Sequence, residues 1–412
     1  MFRLQALVLV LLPWPAQAVI LFSGDNSANL TAPDIAREDV FNSVARVCNA
    51  TGTLNNGYGS AVRIRGKYLL TANHVNSSGA GHVTFDGVTV YPLDAAFGKR
   101  RIGTADLALI KLVDDPGFNG VKLFDATEGD IPRFFRGSTI YSTATIIGVG
   151  RGRSPGDTDG DAIWSWGDNS TMVKRWGTNR IERAVGFTPE NQVYDAEYQG
   201  LETTLDGSAG NDEAATTIYD SGCGLFVEHN GEWKLAGIAT LVSNSGSSTF
   251  GGPTPDSNYF VRINQLATAI EAAIPDPTTY SGWKVDHSLY GANANDGADT
   301  DGDGIPQLLE YALGGDPNHP SRDILPVQQM TEDGGSQYLE LVVTRPIGLQ
   351  GLSFVPQTDT TLTSWPVDST GIADPSPTPA DNGDGTETLI YRRSEDLSAN
   401  PRAFMRLKIQ WN

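Results

Sequence analysis

Near the middle of the chain, residues 219–224 have the sequence YDSGCG, from which the fold is best predicted. Two other stretches lie upstream of it. LLTANHV at residues 69–75 is an apolar strand that runs into His74, and TADLALI at residues 104–110 opens another apolar strand with Asp106. The three stretches supply a histidine, an aspartate and a serine in that chain order. We therefore interpret residues 219–224 as a nucleophile loop.

A catalytic role for these residues follows from what a serine needs in order to react. Its hydroxyl is a poor nucleophile unless a base lies within hydrogen-bond reach and a third group orients that base. His74 would take the proton from Ser221, and Asp106 would fix the histidine tautomer. The backbone N–H groups of Tyr219 and Ser221 would form the oxyanion hole. A strand-end histidine taken alone is more often structural, so the prediction depends on all three stretches.

The composition indicates a β-rich protein of more than one domain. At 412 residues the chain corresponds to about two to three domains. The 39% of hydrophobic residues is enough to build cores, and the 46 glycines point to strands and turns. The formal net charge of −20 argues against a nucleic-acid partner, because phosphates call for clustered Lys and Arg.

The first residues predict export. Residues 1–18 carry a short basic start, an apolar run and Ala16-Gln17-Ala18, which fits a small-x-small cleavage site. We expect a signal peptide that is cleaved after Ala18, and therefore a secreted, extracellular protein. No later stretch approaches the length of a membrane-spanning helix, so no membrane span is predicted. Residues 19–39 are polar and mixed and are interpreted as an N-terminal arm or a propeptide.

The remaining chain divides into a body, a linker and a tail. Residues 40–275 are dominated by short strands, including one expected over residues 41–47, and end in helical spacing over residues 263–274. Residues 276–324 are interpreted as a linker rich in Asp, Asn, Gly and Thr. Residues 325–412 are strand-like again and predict a C-terminal β-rich module.

Only two cysteines are present, Cys48 and Cys223. In an oxidising compartment an even pair often forms a disulfide, but two buried thiols fit the sequence equally well. The sequence leaves both alternatives open.

The body of the chain resembles the trypsin/chymotrypsin family of serine peptidases. The resemblance covers roughly residues 40–274 and depends on the stretches around His74, Asp106 and Ser221, followed by Gly237-Ile238-Ala239 and a terminal helix. It implies an all-β fold of two six-stranded antiparallel barrels with the triad in the cleft between them. It also implies an endopeptidase that acts on proteins or peptides through an acyl-enzyme.

Two departures from the family pattern stand out. Tyr219 occupies the place of a glycine that donates to the oxyanion from an unusual backbone conformation, and a bulky residue there carries a conformational penalty. Many family members mature by pairing a free N-terminus with the residue that corresponds to Asp220, but no Ile-Val-Gly-Gly start is present. The alternative to a working peptidase is therefore an inactive peptidase-like domain that acts as a calcium-dependent binding or adhesion protein.

The resemblance also implies where the primary pocket would lie. Its base aligns with Ala215, and its walls align near Thr240, Val242 and Ser257. No acidic residue occurs among these positions. We therefore expect a neutral or apolar side chain of the substrate in this pocket rather than Lys or Arg.

Residues 299–310 match the pattern of a calcium-binding loop at every required position. Asp299, Asp301 and Asp303 alternate, a glycine follows, and Glu310 closes the loop at the twelfth position, with the carbonyl of Ile305 as a further ligand. The segment resembles thrombospondin type 3 or dockerin-like loops of exported bacterial proteins. The resemblance implies a Ca²⁺-stabilised spacer, followed by a β-sandwich-like module that binds a cell-surface or extracellular component.

Overall fold

A computed structural model describes residues 19–23, 27–49, 57–75, 79–125, 143–154, 163–188, 193–194, 199–243, 249–251, 256–363, 365, 370–399 and 401–412. The predicted signal peptide, residues 1–18, lies outside the described residues. The chain forms two compact units that divide between Ile274 and Pro275. Within the described ranges, no helix has the length and apolar character needed to cross a bilayer.

Among the described residues of the larger unit, most of the regular secondary structure consists of antiparallel strands. Its helices are Glu38–Ser43 (α1) and Ala267–Ala273 (α2). Its strands are Ile20–Leu21 (β1), Val44–Asn49 (β2), Gly57–Arg65 (β3), Tyr68–Thr71 (β4), Ala80–Thr84 (β5), Tyr91–Pro92 (β6), Arg100–Arg101 (β7), Ala108–Lys111 (β8), Thr143–Gly148 (β9), Ile163–Ser165 (β10), Arg175–Phe187 (β11), Val193–Tyr194 (β12), Gly200–Leu205 (β13), Ala214–Ala215 (β14), Gly224–His229 (β15), Glu232–Ser243 (β16), Thr249–Gly251 (β17) and Asp256–Arg262 (β18).

Two sheets carry the architecture of this unit. The first is a curled sheet in the order β6-β5-β2-β3-β4-β8-β7. The second runs β12-β11-β13-β18-β16-β15-β9, and β9 also pairs with β11, which closes six strands into a barrel. The β15–β16 hairpin turns at Asn230 and Gly231, both at positive φ, as a two-residue hairpin turn requires. The all-β double-barrel fold predicted from the sequence is confirmed.

Each sheet surrounds its own apolar core. Leu69, Val83 and Ile110 contribute to the core of the first sheet, and Leu225 and Phe260 contribute to the core of the second. One predicted strand is wrong in its first part: residues 41–43 belong to α1, and the strand begins at Val44. The helix forms because Val40 and Phe41 lie one after the other on its buried side, a pattern that strand alternation does not provide.

The N-terminal segment is part of the folded unit. Val19 is fully buried, and β1 pairs with β14 through the registers of Ile20 with Ala215 and Leu21 with Ala214. Two buried arginines hold the carbonyl groups of this segment. Arg175 Nη1 donates to the carbonyl of Val19 at 2.8 Å, and Arg153 donates to the carbonyl of Leu21. Residues 19–21, which the sequence left as an arm or a propeptide, are therefore anchored in the core.

The smaller unit combines helices with two sheets. Its helices are Tyr280–Asp286 (α3) and Gln307–Leu313 (α4), and its strands are Val327–Asp333 (β19), Ser336–Pro346 (β20), Leu352–Asp359 (β21), Ala380–Asp381 (β22), Thr386–Arg392 (β23) and Phe404–Trp411 (β24). The four-stranded sheet β19-β20-β23-β22 and the pair β21-β24 share one core with α4, which includes Leu313, Leu341 and Met405. The segment interpreted as a linker thus carries helices that pack with the C-terminal strands.

Both cysteines are free and fully buried, so the disulfide alternative is not realised. Cys48 lies on β2, and Cys223 lies within the nucleophile loop. Burial raises the pKa of the Cys48 thiol, and burial together with nearby Asp220 raises that of Cys223. Neither thiol is positioned to react in the folded protein.

We expect a thiol reagent to modify neither cysteine in the folded protein and both after unfolding without reductant. The measurement is a timed titration with a chromogenic disulfide in the absence and presence of guanidinium. A denatured, non-reduced chain that titrates no thiol would show a Cys48–Cys223 bridge and contradict the structure.

Candidate active site

The pairing of β4 with β8 brings the histidine and the aspartate together. Thr71 lies opposite Ala108 in this pair, so the turn after β4 and the turn before β8 meet at one end. His74 Nδ1 lies 2.6 Å from Asp106 Oδ2, and the His74 backbone N–H donates to Asp106 Oδ1 at 2.8 Å. Two contacts from one residue thus fix both the position and the ring orientation of His74.

Ser221 completes the arrangement from the other sheet. Its Oγ lies 2.8 Å from His74 Nε2. The loop that carries it is tied to β3, since the Ser60 N–H donates to the Ser221 carbonyl at 2.8 Å. Gly222 follows at φ +92°, and a Cβ there would lie 1.9 Å from the Ser60 carbonyl oxygen, so only glycine fits. The structure therefore brings the three predicted residues into one hydrogen-bonded chain.

Asp106 also accepts a hydrogen bond from Thr240, a residue that the sequence analysis placed in the wall of the primary pocket. The hydroxyl of Thr240 donates to Asp106 Oδ2. Burial of Asp106 opposes its ionisation, but the hydrogen bonds from His74 and Thr240 outweigh that effect and lower its pKa. Thr240 was expected in a pocket wall, whereas its hydroxyl supports the aspartate. That contact depends on the path of β16 across the sheet, which no local pattern reveals.

The loop also presents two backbone donors beside Ser221. Tyr219 adopts φ +73°, in the left-handed region, and its carbonyl accepts a hydrogen bond from Ser60 Oγ at 3.1 Å. In the part of the chain that the structure describes, neither the Tyr219 N–H nor the Ser221 N–H has an acceptor. Two such donors on either side of Asp220 are what a developing oxyanion requires.

Asp220 fixes the base of this loop from inside the core. It is fully buried, and its carboxylate accepts hydrogen bonds from Gly150 N–H at 2.7 Å, from the N–H and hydroxyl of Thr217 at 2.9 Å each, and from Val19 N–H. All four donors are neutral. Burial therefore dominates and raises the pKa of Asp220 to about 6.

Two glycines leave the room that this carboxylate occupies. A Cβ at Gly148 would lie 2.1 Å from Asp220 Oδ1, and one at Gly150 would lie 2.7 Å from Asp220 Cγ. Both distances are far shorter than any real contact. The end of β9 is thus shaped to accept the aspartate.

Of the residues predicted for the primary pocket, Ala215 and Val242 pack together, whereas Ser257 lies outside their cluster. Ala215 is buried, and Val242 packs with it in one apolar cluster that also contains Ile20. Ser257 is half-buried and lies opposite Ser243 at the end of the β16–β18 pair. The next residue, Asn258, is fully buried and accepts a hydrogen bond from the Thr216 N–H at 2.8 Å. Asn258 was not among the residues predicted for the pocket.

The predicted calcium loop forms a cluster of acidic oxygens in the smaller unit. Oxygens of Asp299, Asp301 and Asp303 lie within 4.8 Å of one another. Glu310 is fully buried, and burial together with the neighbouring aspartates raises its pKa to about 7. Its Oε1 accepts a hydrogen bond from Ser321 Oγ at 3.1 Å.

Three buried oxygens of this loop have no hydrogen-bond partner among the described residues: Asp301 Oδ2, Gln307 Oε1 and Glu310 Oε2. Gln307 occupies the ninth position of the loop, and the sequence analysis did not include it among the ligands. Because orphaned buried oxygens are costly, the donor set fits a hard cation such as Ca²⁺. Ile305, whose carbonyl was predicted as a ligand, is buried, and its backbone N–H donates to Asp303 Oδ1 at 2.8 Å.

Comparisons with solved structures find similar chains, among them a serine protease. Neuropsin, a serine protease expressed in the limbic system of mouse brain, aligns with 58% of this chain and 96% of its own, at 15% identity and a TM-score of 0.39. HBP aligns over 59% of this chain and 95% of its own, at 15% identity and a TM-score of 0.38.

A third similar structure is the passenger domain of the plasmid-encoded toxin, an autotransporter enterotoxin of enteroaggregative Escherichia coli. It aligns at 16% identity and a TM-score of 0.38 over 56% of this chain, which spans only 22% of the toxin domain. No model of a known protein family matches the sequence, and no curated protein matches it.

The buried Asp220 gives a testable pH dependence. Its pKa of about 6 lies above the ordinary 3.8, so the fold favours the protonated form. The resulting stability is present below about pH 4 and is lost as the pH rises through about 6, a loss of about 3 kcal/mol for a shift of about two units. We expect this loss in a chain in which a short Gly-Ser extension precedes Val19.

A chain that begins at Val19 provides the comparison. Its α-ammonium group would lie beside Asp220 and lower the pKa of the carboxyl, so the loss between pH 4 and 6 should disappear. Urea unfolding at a series of pH values measures both proteins, and Asp220→Asn in each provides the reference for all other titrations. Equal pH profiles for the two proteins would contradict the expected pairing.

Proposed function

We propose that this protein is a secreted serine endopeptidase. The observation that supports it best is the continuous chain of contacts from Asp106 through His74 to Ser221. The N–H groups of Tyr219 and of Ser221 itself have no acceptor among the described residues. His74 lies between a carboxylate and a hydroxyl, and 46% of its side chain is exposed to solvent. A histidine with a purely structural role does not need this exposure. Substrate can therefore reach the reacting atoms.

The mechanism follows from these contacts. Ser221 Oγ attacks the carbonyl carbon of the scissile bond while its proton passes to His74 Nε2. The oxyanion receives hydrogen bonds from the N–H groups of Tyr219 and Ser221. His74 then donates the proton to the leaving amine, which yields an acyl-enzyme, and a water molecule activated by the same imidazole releases the acid. Asp106, held by Thr240, stabilises the imidazolium in both halves of the cycle.

The substrate class follows from the apolar cluster at the predicted pocket base. Ala215 and Val242 offer no charge to a basic side chain, and Val242 adds bulk at the wall. We propose that the pocket takes a small uncharged side chain of a protein or peptide substrate. An esterase would need the same triad, and a comparison of peptide with ester substrates distinguishes the two.

Export and maturation would be linked in this proposal. Cleavage after Ala18 creates a free amino group at Val19, the residue whose N–H already donates to Asp220. Val19 has φ +47°, a strained value for a β-branched residue, and this torsion ceases to exist once the preceding peptide bond is cut. The mature N-terminus at Val19 thus takes the place of the missing Ile-Val-Gly-Gly start.

Calcium is proposed as a structural ion of the smaller unit. Asp299, Asp301, Asp303, Gln307 and Glu310 would hold it, together with the carbonyl of Ile305. The ion would neutralise carboxylates that otherwise repel one another. The β-rich strands that follow would act as an accessory module that binds a cell-surface or extracellular component.

A fluorophosphonate tests the proposed chemistry directly. We expect a single covalent adduct on Ser221 by mass spectrometry, and the same spectrum should report a chain that begins at Val19. Ser221→Ala should abolish the adduct, whereas Ser208→Ala, which removes an exposed serine in the connection between β13 and β14, should leave it unchanged. His74→Ala should reduce turnover by about a millionfold, as in other triads.

The opposite result would favour the binding-protein alternative. A folded chain that begins at Val19 and forms no adduct would contradict the peptidase proposal. Folding is checked on the same samples by near-ultraviolet circular dichroism.

Calcium should stabilise the smaller unit without changing turnover. At about a hundred times its Kd, a bound ion adds roughly 2.7 kcal/mol to the folded state. We expect Ca²⁺ to raise the calorimetric Tm of one transition by roughly 5 °C or more. Glu310→Gln should remove this rise, and Glu332→Gln, an exposed position in the same unit, should retain it. An unchanged Tm in the parent protein would contradict the site.

A further inference from the structure

Tyr219 is in a conformation that its side chain disfavours. Its φ of +73° is common for glycine, but a residue with a Cβ reaches it at a population penalty of roughly tenfold or more. The orientation matters because the N–H of this residue is one of the two proposed oxyanion donors. Something in the structure must therefore compensate for the missing glycine.

Arg151 contacts this part of the loop through its backbone. Its N–H donates to the Ile218 carbonyl at 2.9 Å, and its carbonyl accepts from Thr217 Oγ1 at 2.6 Å. In a trans peptide the C=O and N–H groups point in opposite directions. Because the Ile218 carbonyl is directed at Arg151, the N–H of Tyr219 is turned the other way, with no acceptor among the described residues.

The side chain of Arg151 adds a contact with the ring of Tyr219. Its Nε and Nη2 donate to Asn169 Oδ1 at 3.0 and 2.7 Å, which fixes the plane of the guanidinium. The guanidinium carbon lies 5.2 Å from the centre of the Tyr219 ring, within the range of a cation–π contact. On the other side of the loop, Ser60 Oγ donates to the Tyr219 carbonyl.

We propose that Arg151 is a positioning residue for the oxyanion hole. Its guanidinium holds the Tyr219 ring, and this contact offsets the conformational penalty that a tyrosine brings to a position where glycine would be free. Tyr219 thus keeps its N–H directed towards the substrate carbonyl. The inference rests on the proposed peptidase function, because it explains what holds the Tyr219 N–H, one of the two proposed oxyanion donors, in place.

The proposal predicts an effect of Arg151 that depends on residue 219. Arg151→Ala keeps the backbone N–H and removes the guanidinium. We expect kcat for a small ester or anilide substrate to fall about fivefold, the size of one cation–π contact, with KM nearly unchanged. In a Tyr219→Gly background the same substitution should have no effect on kcat, because glycine adopts positive φ without support.

Further variants separate positioning from general stability. Tyr219→Phe retains the ring and should retain the dependence on Arg151, and Asn169→Ala should reproduce part of the Arg151→Ala loss. Arg65→Ala, which removes a surface arginine on β3, should leave kcat unchanged. The four proteins of the double-mutant cycle are also compared by thermal unfolding, since a merely structural role would lower Tm and leave the kcat ratio equal in both backgrounds.

Equal losses of kcat on Arg151→Ala in the Tyr and Gly backgrounds would overturn the proposal. A loss confined to KM would also overturn it. If the parent protein forms no fluorophosphonate adduct, the peptidase proposal fails by itself, and the crystal structure of Arg151→Ala still decides the inference. We expect the Ile218–Tyr219 peptide to rotate in that structure, and an unchanged orientation would contradict the proposed support.

Discussion

The buried carboxylate of Asp220 is the constraint on which the nucleophile loop depends. A carboxylate in a dry interior is costly unless donors surround it. Here the donors come from three separate parts of the chain, at Val19, Gly150 and Thr217. The segment at Val19, the end of β9 and the approach to the loop all contribute donors that hold Asp220, the residue before Ser221. The geometry of the serine is therefore a property of the whole second barrel.

The other half of the site depends on register within the first sheet. His74 and Asp106 meet because β4 and β8 pair with Thr71 opposite Ala108. The two halves are then joined through β3. Ser60 accepts from Thr71 Oγ1 at 2.7 Å through its carbonyl and donates through its N–H to the Ser221 carbonyl. The backbone hydrogen bond between Ser60 and Ser221 thus fixes the position of the nucleophile loop relative to β3. It helps to hold Ser221 within hydrogen-bond distance of His74.

Local patterns in the sequence predicted the strands, the chain order of the three polar residues and the acidic loop. They failed where a residue's role depends on a distant partner. Thr240 reaches Asp106 only through the course of β16, and the two-residue strand β1 is too short to show any periodicity. Arg151 carries no motif, because its significance comes from a ring 68 residues away in the chain (219 − 151). Gln307 could have been found, since the loop pattern itself defines a ninth position.

The fit between Asp220 and the end of β9 has a consequence for tracing the ancestry of this protein. Gly148-Val149-Gly150 lies 70 to 72 residues ahead of the aspartate in sequence (220 − 150 and 220 − 148) but against it in space. A homologue that keeps this carboxylate in place has no room for a side chain at either glycine position. A Gly-x-Gly pair at the end of a strand, read together with Asp-Ser-Gly, is thus an evolutionary fingerprint that remains informative after overall similarity has faded.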